Sequence, residues 1–150
     1  MNQEAKKRAM AQIRIDEGVV MAIYRCSLGH QTFGVGHLIL ETDPEYGQED
    51  GTAVSEERVE QVFSDDFDIM VGECERVYGE HWHDFPDEVQ EILVNLVFNV
   101  GANRAKGFKK SIAALERGDW KTAGDEMEDS LWFKQVGHRS ERLVARMRAV

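Results

Sequence analysis

The chain predicts a mostly helical α+β protein, with a small strand-containing N-terminal lobe joined by a long helix to a larger helical C-terminal lobe. Three observations carry this. Residues 19–36 form short β-rich runs punctuated by glycine. Residues 56–78 carry one amphipathic stripe long enough to bridge two lobes. Residues 87–100 are apolar nearly all round, as in a central core helix. One hundred and fifty residues with 42% hydrophobic content and only two prolines suffice for a buried core. The expectation is one domain, 1–150, with lobes at about 14–60 and 61–150 and the N-terminal helix packed on the second.

The order before Glu17 is helical: Met10 and Ile13 stand three apart and Glu17 follows four beyond, which puts Glu17 on or beside the inward face. Gly18 stops that helix. A carboxylate in a last helical turn meets the negative end of the macrodipole, and partial burial also disfavours its charge. Both effects predict a pKa above about 4.3, suited to a general acid. Runs 19–26 and 32–36 read as strands linked by a glycine-containing segment, a hairpin pattern. If the hairpin closes symmetrically, Cys26 and Thr32 face each other with Cβ atoms about 5 Å apart.

Residues 42–51 read as a loop whose alternating acids do not match a calcium loop. Ser55 caps the helix 56–78, with Val59, Val62, Phe63, Phe67 and Met70 on one side. Gly101 ends the apolar helix. Shorter helices follow at about 109–117, stopped by Gly118, at 120–130, capped by Asp119, and at 139–149.

Charge is uneven. In residues 1–100, 7 Lys+Arg face 21 Asp+Glu, whereas in 101–150 there are 11 against 7. An acidic majority argues against nucleic acid as a partner, because steering would repel it. No apolar run approaches the roughly 20 residues of a membrane span, and the first residues lack an apolar signal region, which predicts synthesis in the cytosol without an anchor. Cys26 and Cys74 form no Cys-x-x-Cys pair and read as free thiols. Residues 80–84, Glu-His-Trp-His-Asp, have metal-ligand types but no second ligand pair at a known spacing, so no metal is expected. The three tryptophans read as core or cleft-wall residues, Trp132 with the best claim to the cleft.

The spacing Glu17, eight residues, Cys26, five residues, Thr32 brings an acid, a thiol and a hydroxyl together. It sits inside Arg14-Ile15-Asp16-Glu17-Gly18 and Gly34-x-Gly36-His37-Leu38. With Asn95-Leu96-Val97-Phe98-Asn99-Val100-Gly101, Gly107-Phe108 with Ser111, Trp120, and Trp132 followed by Arg139, these residues resemble the phage-type lysozymes and endolysins of glycoside hydrolase family 24. The resemblance runs almost to the C-terminus; the acidic loop at 41–53 is shorter than in the best-known members. It implies a lysozyme-like fold and hydrolysis of the β-1,4 bond between N-acetylmuramic acid and N-acetylglucosamine of bacterial peptidoglycan, without a cofactor. It further implies a monomer released from the host cytoplasm to the wall through a holin-made membrane lesion.

By that resemblance Glu17 is the general acid, position 26 acts on the opposite sugar face and Thr32 holds the attacking water. Leu38, Phe98 and Ser111 would line the cleft, with Glu126 where the family can have an amide. Arg139 would pair with the catalytic glutamate, and His37 with Asp66. Many members have aspartate where this chain has Cys26. A thiol of pKa about 8.5, disfavoured further by the Glu17 charge, predicts an alkaline optimum, with Cys26 either activating water or forming a thioglycoside. Two other readings stay open: a thiol-dependent amidase or peptidase with Cys26 as nucleophile and His30 or His37 as base, and a non-catalytic wall-binding protein.

Overall fold

The structure, a computed structural model, describes residues 1–150. The elements in chain order are α1 (Gln3–Glu17), β1 (Val20–Arg25), β2 (Gln31–Gly34), β3 (His37–Leu38), α2 (Glu56–Tyr78), a 3-10 helix (Gly79–Asp84), α3 (Asp87–Val100), α4 (Ala102–Lys106), α5 (Lys109–Glu116), α6 (Trp120–Glu128), α7 (Leu131–Val136) and α8 (His138–Arg148). This is the α+β, mostly helical, lysozyme-like class. The backbone forms two compact units, Met10–Ile69 and Met1–Ala9 with Met70–Val150, so α1 and α2 each contribute to both. No helix is long and apolar enough to cross a membrane.

In residues 10–69 the sheet is antiparallel in the order β1-β2-β3. The other edge of β1 is bonded by residues 51–54: Ile23 N–H donates to the Thr52 carbonyl, Gly51 N–H to that of Ile23, and Val54 N–H to that of Met21. Ile23, Phe33, Val54, Val59 and Val62 form the core of this unit. Gly34 lets the sheet approach α2: it sits at φ +66°, and a β-carbon there would meet Val59 Cγ1 at 3.1 Å. Ser55 caps α2 as expected, its hydroxyl accepting from Arg58 N–H.

A clasp holds the 40–46 segment to α2. His37 places Nδ1 2.8 Å from Asp66 and Nε2 2.8 Å from Asp43. Asp43 also accepts from Leu40 N–H, and Arg58 bonds both Asp43 and the buried Glu45. An imidazole with a carboxylate at each nitrogen donates to both only when protonated. Burial opposes that charge, but the bonds to Asp66 and Asp43 outweigh it, and the His37 pKa is raised. For Asp43 burial again opposes, while Leu40 N–H, His37 and Arg58 together pull its pKa down.

The other unit is built on α3, buried from Val89 to Val97. Glu91, only 4% exposed, is bonded by both Arg8 of α1 and Arg146 of α8, and Arg146 also grips Glu88 through two nitrogens. Helix α6 packs on α5 and α8. Asp119 caps α6 by accepting from Thr122 N–H, as its position predicts. The short α4, α7 and 3-10 segments have no long amphipathic pattern and are not predicted from sequence.

The clasp sets a pH window. His37, with its pKa raised above the ordinary 6.5, contributes stability that is complete below 6.5 and lost as pH rises through the folded value. Asp43, depressed below 3.8, contributes stability present above 3.8 and lost as pH falls through its folded value. The melting-temperature gap between native protein and His37→Gln is therefore widest between pH 3.8 and 6.5 and narrows on the alkaline side. Thermal melts from pH 3 to 10 check this; a gap independent of pH contradicts the charged clasp.

Candidate active site

The site is built on the β1–β2 hairpin. Its closing pair is Cys26 and His30: Cys26 N–H donates to the His30 carbonyl at 2.9 Å, and Gly29 N–H returns to the Cys26 carbonyl at 2.8 Å. This is a three-residue loop with Gly29 at φ +81°, the left-handed position such loops require. The ladder then pairs Arg25 with Gln31 and Tyr24 with Thr32. Symmetric closure with Cys26 opposite Thr32 is thus corrected: Thr32 lies diagonally from Cys26, because the turn takes three residues rather than five. The shift is by an even number of residues, so both side chains stay on one face. Thr32 also pairs with Leu38 on β3, so Tyr24, Cys26, Thr32 and Leu38 share that face, while Phe33 and His37, tilted against each other with centroids 5.1 Å apart, share the opposite one.

Cys26 is half-buried and Thr32 is 4% exposed. The Thr32 hydroxyl donates to the His30 carbonyl at 3.0 Å. The Cys26 thiol is held below its ordinary value by the backbone groups of His30 and then Leu28, with burial opposing and the Thr32 hydroxyl adding. On balance the Cys26 thiol is lowered, the reverse of the net rise expected from sequence.

Glu17 ends α1, where Gly18 N–H closes the last turn on the Arg14 carbonyl, but its side chain is exposed rather than half-buried. The periodicity places its Cα near the inward side, yet Glu17 is the final residue of the helix and its side chain is solvent-accessible. The burial part of the general-acid expectation is corrected accordingly.

Tyr24 is a residue that sequence reasoning missed. It is half-buried, and its phenol is pushed up first by burial, then by the charges of Cys26 and Glu17, so it lies near both. The signal was available: Tyr24 is two residues before Cys26 on a strand, hence on its face. Asp43, the second partner of His37, was also missed, while the expected His37–Asp66 pair is present.

The remaining expected residues fall as follows. Leu38 is 48% exposed on the site face. Phe98 is half-buried on α3. Ser111 is 4% exposed and donates to the Ala123 carbonyl, tying α5 to α6. Ser111 and Glu126 line one pocket of about 320 Å³ together with Lys109, Lys110 and Asp129. Arg139 is fixed on Asn95, Nε to Oδ1 at 2.8 Å. Trp132, expected nearest the cleft, is 1% exposed, with its indole N–H on Asn99 and its ring tilted against Phe108. It is a core residue that supports its neighbours and has no free face for stacking. Residues His81 and His83 lie in the 3-10 helix, and Cys74 is buried with its thiol pushed up by burial.

A family model for phage lysozyme matches residues 14–149, nearly the whole chain and every residue of this hairpin. The chain belongs to the phage lysozyme family. Two probable T4-type lysozymes of Dictyostelium discoideum are 25% and 24% identical to it, each over 89% of this chain and 89% of the relative. The pre-baseplate central spike protein Gp5 of Enterobacteria phage T4 is 24% identical over 88% of this chain, which corresponds to 26% of that larger protein. Membership carries the coarse assignment: a lysozyme-type hydrolase, a glycosidase by class.

If Tyr24 senses both site groups, removing a charge eases its ionisation. Alkaline titration of the phenols at 295 nm shows Tyr24 ionising at lower pH in Glu17→Gln than in native protein. Identical curves would mean that Glu17 lies outside its field.

Proposed function

We propose that this protein hydrolyses the β-1,4 bond between N-acetylmuramic acid and N-acetylglucosamine in bacterial peptidoglycan, as an endolysin. The observation that carries the reading is the common face of Cys26 and Thr32, with Glu17 close enough to act on Tyr24 between them, in a chain that matches the family model throughout this segment.

Glu17 gives its proton to the glycosidic oxygen as the bond to the anomeric carbon breaks. A water on the other face of the sugar donates a hydrogen bond to the Thr32 oxygen, whose own proton is turned to the His30 carbonyl. Cys26, as thiolate, removes the second proton of that water while its oxygen bonds the anomeric carbon. Glu17 is left ionised and Cys26 protonated, and solvent returns both to their starting forms. No cofactor enters. A lowered thiol moves the working range to lower pH than an unassisted thiol would give.

Leu38, Phe98, Ser111 and Glu126 contact the glycan in this reading, and Arg139, His37, Asp66 and Trp132 support it. The protein reaches the wall from the host cytoplasm through a membrane lesion made by a separate protein, and acts as a monomer without nucleic acid.

Purified Gram-negative peptidoglycan incubated with native protein gains reducing sugar ends. Glu17→Gln and Cys26→Ser each lower the rate by about 10²–10⁴-fold, the usual worth of a positioned acid or base. New amino groups without sugar ends would instead mark a thiol peptidase or amidase. Pelleting with the wall and releasing neither product would mark a binding protein.

A further inference from the structure

We propose that the pocket between the start of α5 and the end of α6 takes a glycan unit that carries an ammonium and a carboxylate side by side, muramic acid without its acetyl group. Lys109 and Lys110 bind its carboxylate, and Glu126 and Asp129 bind its ammonium. This rests on the reading of Ser111 and Glu126 as glycan contacts and deepens it by naming the charge of the sugar.

The observation is a separation of charge. Along α6 and its two caps, Asp119 has Arg117, Asp125 has Lys121 and Arg148, and Glu128 has Arg148. Glu126 and Asp129 have no cation. Lys109 and Lys110 form no ion pair either, whereas Arg117, Lys121, Arg146 and Arg148 all do. The four unpaired groups are the four that line one pocket of about 320 Å³. Opposite charges that share a pocket attract each other, yet no ion pair closes across this one.

The packing of the two helices keeps the walls apart. The Ser111 hydroxyl donates to the Ala123 carbonyl at 3.1 Å, which ties the first turn of α5 to the middle of α6. Lys109 and Lys110 precede that tie on α5, and Glu126 and Asp129 follow it on α6 and its C-cap. Glu126 is half-buried, while the lysines and Asp129 are exposed, so one carboxylate is held by its surroundings and the cations can turn toward a guest. The Ser130 hydroxyl is already spent, donating to the Met127 carbonyl and accepting from Phe133 N–H. Charge therefore decides what enters.

A guest of one sign gains from one wall and is repelled by the other. An anionic lipid or phosphate polymer meets Glu126 and Asp129, and a simple amine meets the two lysines. A neutral acetylated sugar leaves both pairs unused. A zwitterion satisfies both. The volume stands at the lower end of ligand pockets, which suits one ring better than a length of peptide. Half-buried Phe108, beside the lysines, offers apolar surface to that ring. In muramic acid the amine on the second ring carbon and the lactyl carboxylate on the third project from neighbouring positions, one toward each wall.

Titration followed by NMR at about pH 6 compares three free sugars: muramic acid with both charges, N-acetylmuramic acid with the carboxylate alone, and glucosamine with the ammonium alone. Muramic acid shifts the amide signals of residues 107–111 and 126–130 and binds about fivefold tighter than either single-charge sugar, the upper weight of one exposed ion pair. Added salt narrows the difference. Glu126→Gln with Asp129→Asn lowers muramic acid to the level of N-acetylmuramic acid, and Lys109→Gln with Lys110→Gln lowers it to that of glucosamine. Equal affinity for the three sugars, or shifts confined to other segments, overturns the assignment. Tighter binding of the dipeptide alanyl-lysine than of muramic acid also overturns it, by giving the pocket to a peptide. Should a double variant fail to fold, the three sugars on native protein still decide. The glycosidase reading is tested apart: release of reducing ends from acetylated wall together with equal affinities keeps that reading and removes the zwitterion site, and selective binding of muramic acid without release does the reverse.

Discussion

The left-handed backbone at Gly29 determines the register of the hairpin, and the register determines which side chains meet. At φ +81° any residue with a β-carbon is strained, and the loop would then relax toward a different length. A loop one residue longer or shorter shifts one strand by a single place and turns its whole set of side chains over. Thr32 and Cys26 would then look to opposite sides, and Phe33 would leave the core. The core packing of Ile23 and Phe33 and the assembly of the site are two results of one geometric condition.

Each unit then buries an ionic group and supplies it with enough partners to keep it. Around His37, the segment after β3 contributes Asp43 and Glu45, while α2 contributes Arg58 and Asp66. Around Glu91, Arg8 and Arg146 come from opposite ends of the sequence. Removing one member of such a set costs more than the contact itself, because the remaining charges stay buried without compensation. The arrangement therefore fixes segments that have little apolar surface of their own, the 40–46 loop above all. A loop that is short and acidic is held by its acids.

Much of the fold was readable because its signals are local. Ser55, Gly101, Gly118 and Asp119 mark helix ends through capping and backbone freedom, and the apolar run of α3 declares its burial. The short elements were not readable: β3 has two residues, α4 five, and the bonding of 51–54 to β1 is a tertiary event with no strand pattern behind it. In the site, the residue types and their face followed from spacing, but the diagonal placement of Thr32 depends on how many residues the turn uses. The exposure of Glu17 depends on what packs beyond the last turn. The lowered thiol depends on main-chain groups, which no side-chain pattern encodes.

The bonding of residues 51–54 along β1 has a further effect on how the molecule meets other copies of itself. A strand at the margin of a sheet offers unmatched amide and carbonyl groups that invite a foreign strand to dock. Here the six-residue β1 is covered on both sides, and the opposite margin is the two-residue β3, followed immediately by turns. The longest strand is interior and the marginal one is too brief to template a ladder, so the chain offers little backbone through which copies could join into fibrils.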